Sequence, residues 1–163
     1  MKNTVIAVLV AAGSSARMGF DKLLTPLSGS CPLERSFDAL EQAGVDGMVV
    51  VCSAHTLPLA RELCRKAAVP AMAVSGGESR QQSVLFGLRS AKDLWQEQLQ
   101  GDGDPIVLIH DAARCMVPLE VVRSCMDAAA EYGSAVAALP VADTVWRQDD
   151  AHDEPVDRTG LWR

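Results

Sequence analysis

The chain has 163 residues and is poor in the features that mark several large classes of protein. Acidic side chains outnumber basic ones, and the net charge of −6 argues against general affinity for nucleic acid or for an anionic membrane. The longest apolar run, from Val5 to Ala12, is far shorter than the roughly 20 residues of a membrane-spanning helix. Internal repeats and low-complexity tracts are absent, which excludes a solenoid or a disordered chain. The absence of these features indicates one globular domain that spans residues 1–163.

The five cysteines lack the spacing of a zinc site or a redox pair, because no two of them form a C-x-x-C motif. Their odd number, in a chain long enough to bury a core, also argues against a disulfide framework. We therefore expect reduced thiols and a cytoplasmic protein. The apolar start resembles a secretion signal in outline, but its Val and Ile content and its end at Gly13 favour a first buried strand.

Short apolar runs alternate with segments of helical periodicity along most of the chain. Five apolar runs predict strands that are covered on both faces. They are Val5–Val10, Met48–Cys52, Ala71–Val74, Ile106–Ile109 and Ala135–Leu139. Four segments between and after them predict helices, namely Leu33–Ala43, Leu57–Ala68, Ser79–Leu94 and Leu119–Tyr132. The alternation predicts right-handed βαβ units around a mostly parallel sheet, which is an α/β fold.

Two details of this pattern are specific enough to test. In the third helix the apolar spacing predicts a buried stripe of Val84, Leu88, Ala91 and Trp95. Residues 144–163 lack a helical period and predict two strands on either side of an acidic turn. A hairpin this short cannot build its own core, so we expect it to project and to pack against another surface.

Small and polar residues follow four of the predicted strands, in segments 11–19, 76–83, 110–114 and 140–144. Ligands bind outside the carboxyl ends of parallel strands, so these segments predict one continuous site. The first segment indicates phosphate binding, because small residues let backbone N–H groups approach an anion while Arg17 and Lys22 add positive charge. Its spacing matches neither a P-loop nor a dinucleotide fingerprint.

Five motifs then fall in the order and at the spacing of a known family. They are Ala11-Ala12-Gly13-x-x-x-Arg17-Met18-Gly19-x-x-Lys22, Gly76-Gly77-x-x-Arg80-x-x-Ser83-Val84-x-x-Gly87-Leu88, His110-Asp111-Ala112-Ala113-Arg114, Leu139-Pro140-Val141-x-Asp143-Thr144 and Asp157-Arg158-x-x-Leu161-Trp162. Together they resemble the 2-C-methyl-D-erythritol 4-phosphate cytidylyltransferases, one branch of the sugar-nucleotide and alditol-phosphate nucleotidyltransferases. The resemblance covers the whole chain. It implies a three-layer, Rossmann-like nucleotidyltransferase fold with a projecting β-hairpin arm.

The family chemistry that this resemblance implies is cytidylyl transfer from CTP to methylerythritol phosphate, with Mg²⁺, in non-mevalonate isoprenoid biosynthesis. A phosphate oxygen attacks the α-phosphorus in line and pyrophosphate leaves, so the reaction needs positioning and positive charge rather than covalent catalysis. Arg17 and Lys22 match the residues that stabilise the transition state. The backbone of Ala11, Ala12 and Gly13 matches the cradle of the CTP phosphates.

The other motifs match the remaining parts of the family site. The segment that reads cytosine and the nucleotide is matched by Gly77, Glu78, Arg80 and Ser83. Asp111 matches a residue that lies near the ribose, the metal and the second substrate. Arg114 and Thr144 match contacts to that second substrate, an alditol phosphate.

The resemblance also gives the hairpin a role. Arg158 matches an arginine that reaches from the hairpin into the neighbouring subunit's site and positions the attacking phosphate. It therefore implies a homodimer held by a 144–163 arm. Members of the family continue past the position matched by Arg163, so we expect this chain to be incomplete at its C-terminus.

Two alternatives stay open at this point. Cys115 stands where the family usually has proline, and Trp146 stands where it commonly has a basic side chain. Both positions lie on the substrate side, which leaves ribitol or ribulose 5-phosphate open as the acceptor. An inactive CTP-binding fragment is the other alternative, because part of the family's site lies beyond the residues matched.

Overall fold

The computed structural model describes residues 3–13, 21–100, 103–148 and 153–163. Strands and helices alternate in the order β1 (Val5–Ala11), α1 (Pro32–Ala43), β2 (Gly47–Cys52), α2 (Leu57–Lys66), β3 (Ala71–Ser75) and α3 (Arg80–Leu94). A short π-helical turn, Trp95–Leu99, then precedes β4 (Ile106–Asp111), α4 (Leu119–Tyr132), β5 (Trp146–Gln148) and β6 (Asp153–Pro155). The four predicted helices are confirmed, and so are the first four predicted strands.

The first four strands form one parallel sheet in the order β3-β2-β1-β4. At the centre, β1 pairs with β2 up to the pair of Ala11 and Cys52. On its other side it pairs with β4 up to the pair of Val10 and Asp111. The carboxyl ends of these three strands are therefore level, and the loops that follow them open at the same edge of the sheet.

Helices cover both faces of this sheet, so the three-layer α/β architecture is confirmed. On one face, Leu9 of β1 packs in a cluster with Leu33 and Leu40 of α1, to which α2 and α4 also contribute. On the other face, Val8 packs with Leu94 of α3. Alternate side chains of a strand point to opposite faces, and burying each large aliphatic side chain contributes about 1.5–3 kcal/mol.

The helix ends follow signals that the sequence carries. Gly44 and Gly133 end α1 and α4 in the left-handed conformation, with φ of 92° and 84°, which a residue without a Cβ adopts at little cost. Ser79 begins α3, and its hydroxyl accepts a hydrogen bond from the backbone N–H of Gln82 at 3.1 Å. These caps fix where the loops at the sheet edge begin and end.

The predicted fifth strand, Ala135–Leu139, is wrong. The segment forms no ladder with β4, and its side chains are exposed. Three of its five residues are alanine, which has a weak preference for strands. Its end pairs elsewhere, because Leu139 and Arg163 exchange backbone hydrogen bonds of 2.8 Å beside a bridge between Pro140 and Trp162.

The predicted hairpin is present, with shorter strands than expected. β5 and β6 pair in antiparallel fashion between Trp146 and Pro155, and Arg147 forms an ion pair with Glu154 at 3.2 Å. The returning strand ends at Pro155 rather than running on to Trp162, because residues 156–158 are irregular and residues 159–160 form a turn. Within the described ranges, no helix is long and apolar enough to cross a membrane.

Candidate active site

A cavity of about 710 Å³ opens at the carboxyl edge of the sheet, between the loops that follow β1, β3 and β4. Its lining includes nine of the predicted site residues: Ala12, Gly13, Lys22, Gly77, Glu78, Arg80, Ser83, Asp111 and Arg114. The parallel sheet brings these residues together from distant parts of the sequence, as expected for the ligand-binding edge of such a fold.

The predicted phosphate cradle lies at the end of β1. Ala11 is fully buried, while Ala12 and Gly13 line the cavity. Among the described residues, nothing lies within 4 Å of a Cβ added to Gly13, so no described neighbour packs against this part of the backbone. Lys22 is exposed at the lining, and Arg17 lies outside the described residues.

The loop after β3 packs tightly against this cradle. A Cβ on Gly76 would stand 2.3 Å from the Cβ of Ala12, so any side chain there would push the two loops apart. The N–H of Gly77 donates to the hydroxyl of Ser83 at 3.1 Å. Ser83 is 2% exposed and therefore shapes this turn as well as lining the cavity.

The start of α3 is held in a fixed direction toward the cavity. The N–H of Glu78 donates to the side-chain oxygen of Gln82 at 2.8 Å, while the Ser79 hydroxyl accepts from the N–H of the same residue. Glu78, Ser79 and Arg80 all line the cavity. The positive end of the helix dipole consequently lies beside the site, where it favours an anion.

Asp111 lies between two arginines at the end of β4. Its Oδ1 accepts from Nη2 and Nε of Arg80 at 2.9 and 3.0 Å, and its Oδ2 lies 3.5 Å from Nε of Arg114. All three side chains are substantially exposed, so each pair contributes at most about 1 kcal/mol to folding. Their effect is geometric, since the carboxylate links the start of α3 to the loop after β4.

The charge balance of the lining suits an anionic ligand. Lys22, Arg80 and Arg114 face the acidic side chains of Glu78 and Asp111. The chain as a whole is acidic, so this excess of cations is local to the cavity. A second cavity, of about 670 Å³ between α4 and residues 135–139, has a more apolar lining and shares only Arg114 with the predicted site.

His110 is a packed residue at the end of β4 and is not part of the cavity lining. Burial lowers the pKa of its imidazole, although the neighbouring Asp111 carboxylate opposes that shift. Its Nε2 is buried and has no hydrogen-bond partner in the part of the chain that the structure describes. Because its imidazole is not on the cavity lining, His110 is not placed to take a proton from a ligand there.

Two residues that support the site were missed in the sequence. The hydroxyl of Ser36, on α1, donates to the carbonyl of Ala112 at 2.8 Å, and that of Thr56 donates to the carbonyl of Ala11 at 3.0 Å. Both residues are fully buried. A serine on the apolar face of a helix is a signal that could have indicated Ser36, whereas Thr56 is indistinguishable in sequence from an ordinary helix cap.

Thr144 and Arg158 lie outside the cavity in this single chain. Thr144 is exposed. The guanidinium of Arg158 donates to the carbonyl of Ala142 and, at 3.4 Å, to that of Asp143, whose carboxylate pairs with Arg163. These contacts hold the base of the hairpin together.

The fold is that of the nucleotidyltransferases. The chain superposes with a TM-score of 0.75 on a crystal structure of 4-diphosphocytidyl-2C-methyl-D-erythritol synthase, at 29% identity, covering 100% of this chain and 72% of that one. It is 35% identical over 160 residues to the 2-C-methyl-D-erythritol 4-phosphate cytidylyltransferase of Prochlorococcus marinus, covering 95% of this chain. It is 40% identical over 158 residues to the enzyme of that name from Deinococcus radiodurans, covering 96% of this chain.

A family model described as IspD, 2-C-methyl-D-erythritol 4-phosphate cytidylyltransferase, matches residues 5–163. The chain therefore belongs to the IspD family. It spans 67% of the length of the Prochlorococcus relative and 60% of that of the Deinococcus relative.

Proposed function

We propose that the chain transfers the cytidylyl group of CTP to 2-C-methyl-D-erythritol 4-phosphate, forming CDP-methylerythritol and pyrophosphate. One bond forms between an acceptor phosphate oxygen and the α-phosphorus, and the bond from that phosphorus to the β-phosphate oxygen breaks. The attacking phosphate is already anionic, so no general base is required. The observation that carries this proposal is the single cavity, in an IspD-family chain, that joins the Ala12–Gly13 backbone, Lys22 and the Asp111 loop.

The cavity lining combines two kinds of chemistry. The Ala12–Gly13 backbone, Lys22 and the start of α3 offer N–H groups and positive charge, which suit a triphosphate. A Cβ on Gly77 would lie 2.5 Å from that of Gln82, so the turn that matches the cytosine-reading segment of the family requires a glycine here. Arg114, on the loop after β4, is 78% exposed, and its long contact of 3.5 Å with Asp111 leaves its other N–H groups for the acceptor phosphate.

The donor set fits a Mg²⁺ that arrives with the nucleotide rather than one enclosed by protein. Among the residues described, no group of three or more His, Cys, Asp or Glu side chains could hold a metal. Mg²⁺ in such sites commonly takes one carboxylate and several phosphate oxygens, and Asp111 is the carboxylate placed to contribute. When bound, the ion would neutralise part of the phosphate charge. Lys22 and the backbone donors would orient the same phosphates.

The proposal extends to the assembly and the location of the enzyme. Trp146, in β5, and Trp162, which follows the hairpin, are 60% and 63% exposed, and large apolar side chains exposed in this way mark an interaction surface. A homodimer in which the hairpin packs on the partner would cover such side chains and bring Arg158 to the partner's cavity. The acidic chain and its free thiols support a cytoplasmic enzyme that acts on small phosphates and not on nucleic acid.

Product formation tests this function and separates it from the alternatives. The purified chain is incubated with CTP, Mg²⁺ and one of methylerythritol phosphate, ribitol 5-phosphate or ribulose 5-phosphate, and CDP-alcohol and pyrophosphate are measured. We expect product with methylerythritol phosphate. Product only with ribitol or ribulose 5-phosphate would show that methylerythritol phosphate is not the acceptor. CTP binding without any product would show that the chain binds the nucleotide but does not catalyse the transfer.

A further inference from the structure

The phosphate cradle is anchored by a buried hydroxyl that lies outside the five sequence motifs. Thr56 is 0% exposed and precedes α2, some 45 residues after the carbonyl that it contacts. Its Oγ1 donates to the carbonyl of Ala11 at 3.0 Å and accepts from the N–H of Ser53 at 3.0 Å. A position before a helix suggests a cap, yet its side chain makes no capping bond to α2.

This hydroxyl bridges the two strands just where their pairing ends. Ala11 and Cys52 are the last partners of β1 and β2, and Ser53 is the first residue after β2. Beyond that point the cradle must leave the sheet to form the cavity. The Thr56 hydroxyl joins the N–H of Ser53 to the carbonyl of Ala11, and so satisfies a part-buried donor and a buried acceptor at the strand ends.

The bond also sets the direction of the next backbone donor. The carbonyl of Ala11 and the N–H of Ala12 belong to one planar, trans peptide group and point in opposite directions. With the carbonyl held toward Thr56 on the β2 side, the N–H of Ala12 points to the side of β4, where Asp111 lines the cavity. Thr56 therefore controls a donor of the cradle without touching a ligand itself.

We propose that Thr56 is a positioning residue for the phosphate cradle, and that its hydroxyl fixes the Ala11–Ala12 peptide for CTP. The inference rests on the proposed function for its ligand, but the orientation of the peptide does not depend on it. Loss of the hydroxyl with the shape retained should weaken CTP binding while the part of the cavity around Arg114 stays as it is.

The test compares Thr56→Val, which keeps the shape and removes the hydroxyl, with Thr56→Ser, which restores the hydroxyl. Val49→Ala, in the buried middle of β2, is the control for destabilisation alone. In Thr56→Val we expect the KM for CTP to rise by about tenfold to a hundredfold with an unchanged KM for the acceptor, since misplacing a binding group by about 1 Å has effects of that size. Thr56→Ser should return the KM for CTP to within about threefold of wild type.

A second readout needs no ligand. Hydrogen exchange at the amide of Ser53, whose N–H donates to Oγ1 of Thr56, followed by NMR, should quicken by about tenfold in Thr56→Val and stay at the wild-type rate in Val49→Ala. If Thr56→Val does not fold, Thr56→Cys, with its weak thiol donor, replaces it and should show smaller changes of the same kind.

The two proposals fail in distinguishable ways. If the wild type neither binds CTP nor forms product, the proposed function is wrong, and the exchange rates alone decide the role of Thr56. If Thr56→Val exchanges and binds CTP as the wild type does, or if Val49→Ala raises the KM for CTP equally, the positioning role is wrong.

Discussion

The three cationic side chains that line the cavity differ in whether they already form an ion pair. Arg80 and Arg114 both contact Asp111, whereas Lys22 has no ion pair within the described ranges. An unengaged ammonium next to the Ala12–Gly13 backbone is available to meet charge that develops on a phosphate in the transition state. Arg17 has the same predicted role from its motif alone.

We therefore expect Lys22→Ala and Arg17→Ala to lower kcat more than they raise the KM for CTP. Loss of a well-placed donor to a transition state lowers the rate by about 10²–10³-fold. Steady-state kinetics on each variant give both parameters, and Lys92→Ala, an exposed lysine on the far part of α3, is the matched control. Turnover near that of the control would show that the residue has no such role.

Because burial lowers the pKa of the His110 imidazole, we expect the free energy of unfolding to fall in acid. Burial lowers its folded pKa below the ordinary value of about 6.5, so between the two pKa values the unfolded chain binds more protons than the folded one. The stability that this residue contributes is complete above the unfolded pKa and is lost as the pH falls through the folded one.

Urea unfolding at several pH values from 7.5 to about 5 checks this prediction. The free energy of unfolding should fall less steeply toward acid in His110→Gln than in the wild type. Equal slopes in the two proteins would mean that the imidazole titrates alike in both states.

At the level of helices and strands, local patterns predicted most elements but not how closely they pack. Apolar spacing predicted a buried stripe of Val84, Leu88, Ala91 and Trp95 on α3, yet Leu88 is 36% exposed and the buried residues are Ser83, Gly87, Ala91 and Leu94. The buried face is rotated relative to the predicted stripe because Gly87, which has no side chain, lets α3 lie directly against Val8 and Val51 of the sheet. Hydrophobicity alone cannot show such an approach, since glycine carries no side chain to bury.

Gly87→Ala should therefore destabilise the protein, although alanine favours a helix more than glycine does. A Cβ at this position would stand 2.4 Å from Cγ1 of Val8 and 2.8 Å from Cγ2 of Val51, both in the packed core. Overpacking of this kind costs about 1–3 kcal/mol. Thermal unfolding measures the loss, with Arg89→Ala on the exposed side of the same helix as control. An unchanged melting temperature would show that α3 moves aside freely.

For the molecule as a whole, motif order predicted which loops meet, and the sheet explains why they do. What sequence could not supply were the contacts between distant residues: Ser36 with Ala112, Thr56 with Ala11, and Arg80 with Asp111. Each depends on the register of strands and the seating of a helix, which no local pattern encodes. The strand predicted at 135–139 was wrong for the same reason. Composition does not show whether a neighbouring strand is placed to form a ladder with this segment.

Nucleotide binding should raise the stability of the whole chain. CTP with Mg²⁺ at a hundredfold excess over its Kd contributes about 2.7 kcal/mol, which is a rise of about 5–10 °C in Tm for a domain of this size. ATP and GTP should give much smaller shifts, because the segment from Gly77 to Ser83, which lines the cavity in part, matches the one that reads cytosine in the IspD family. Equal shifts with ATP and CTP would contradict recognition of cytosine.

The assembly gives the last prediction, in which two defective chains restore each other. If Arg158 completes the partner's cavity, Arg158→Ala and Lys22→Ala should each be nearly inactive alone. In a mixed dimer, the Arg158→Ala chain keeps its own Lys22 and receives Arg158 from its partner, so its cavity is intact. The cavity of the Lys22→Ala chain lacks both side chains. Random pairing of equal amounts makes about half of the dimers mixed, and each mixed dimer has one working cavity of two. Unfolding and refolding the two variants together should therefore restore about a quarter of the wild-type activity.

Light scattering on the same samples checks that they are dimers, and Arg89→Ala mixed with Lys22→Ala is the control for simple dilution. That control should give about half of the activity of Arg89→Ala, since each cavity that retains Lys22 works on its own. A monomeric protein, an Arg158→Ala variant with undiminished activity, or a mixture with Lys22→Ala that stays inactive would each show that the arginine does not act across the interface. Activity restored only in the mixed dimer would, in contrast, place the Arg158 of one chain at the cavity of the other, since neither variant alone contains an intact site.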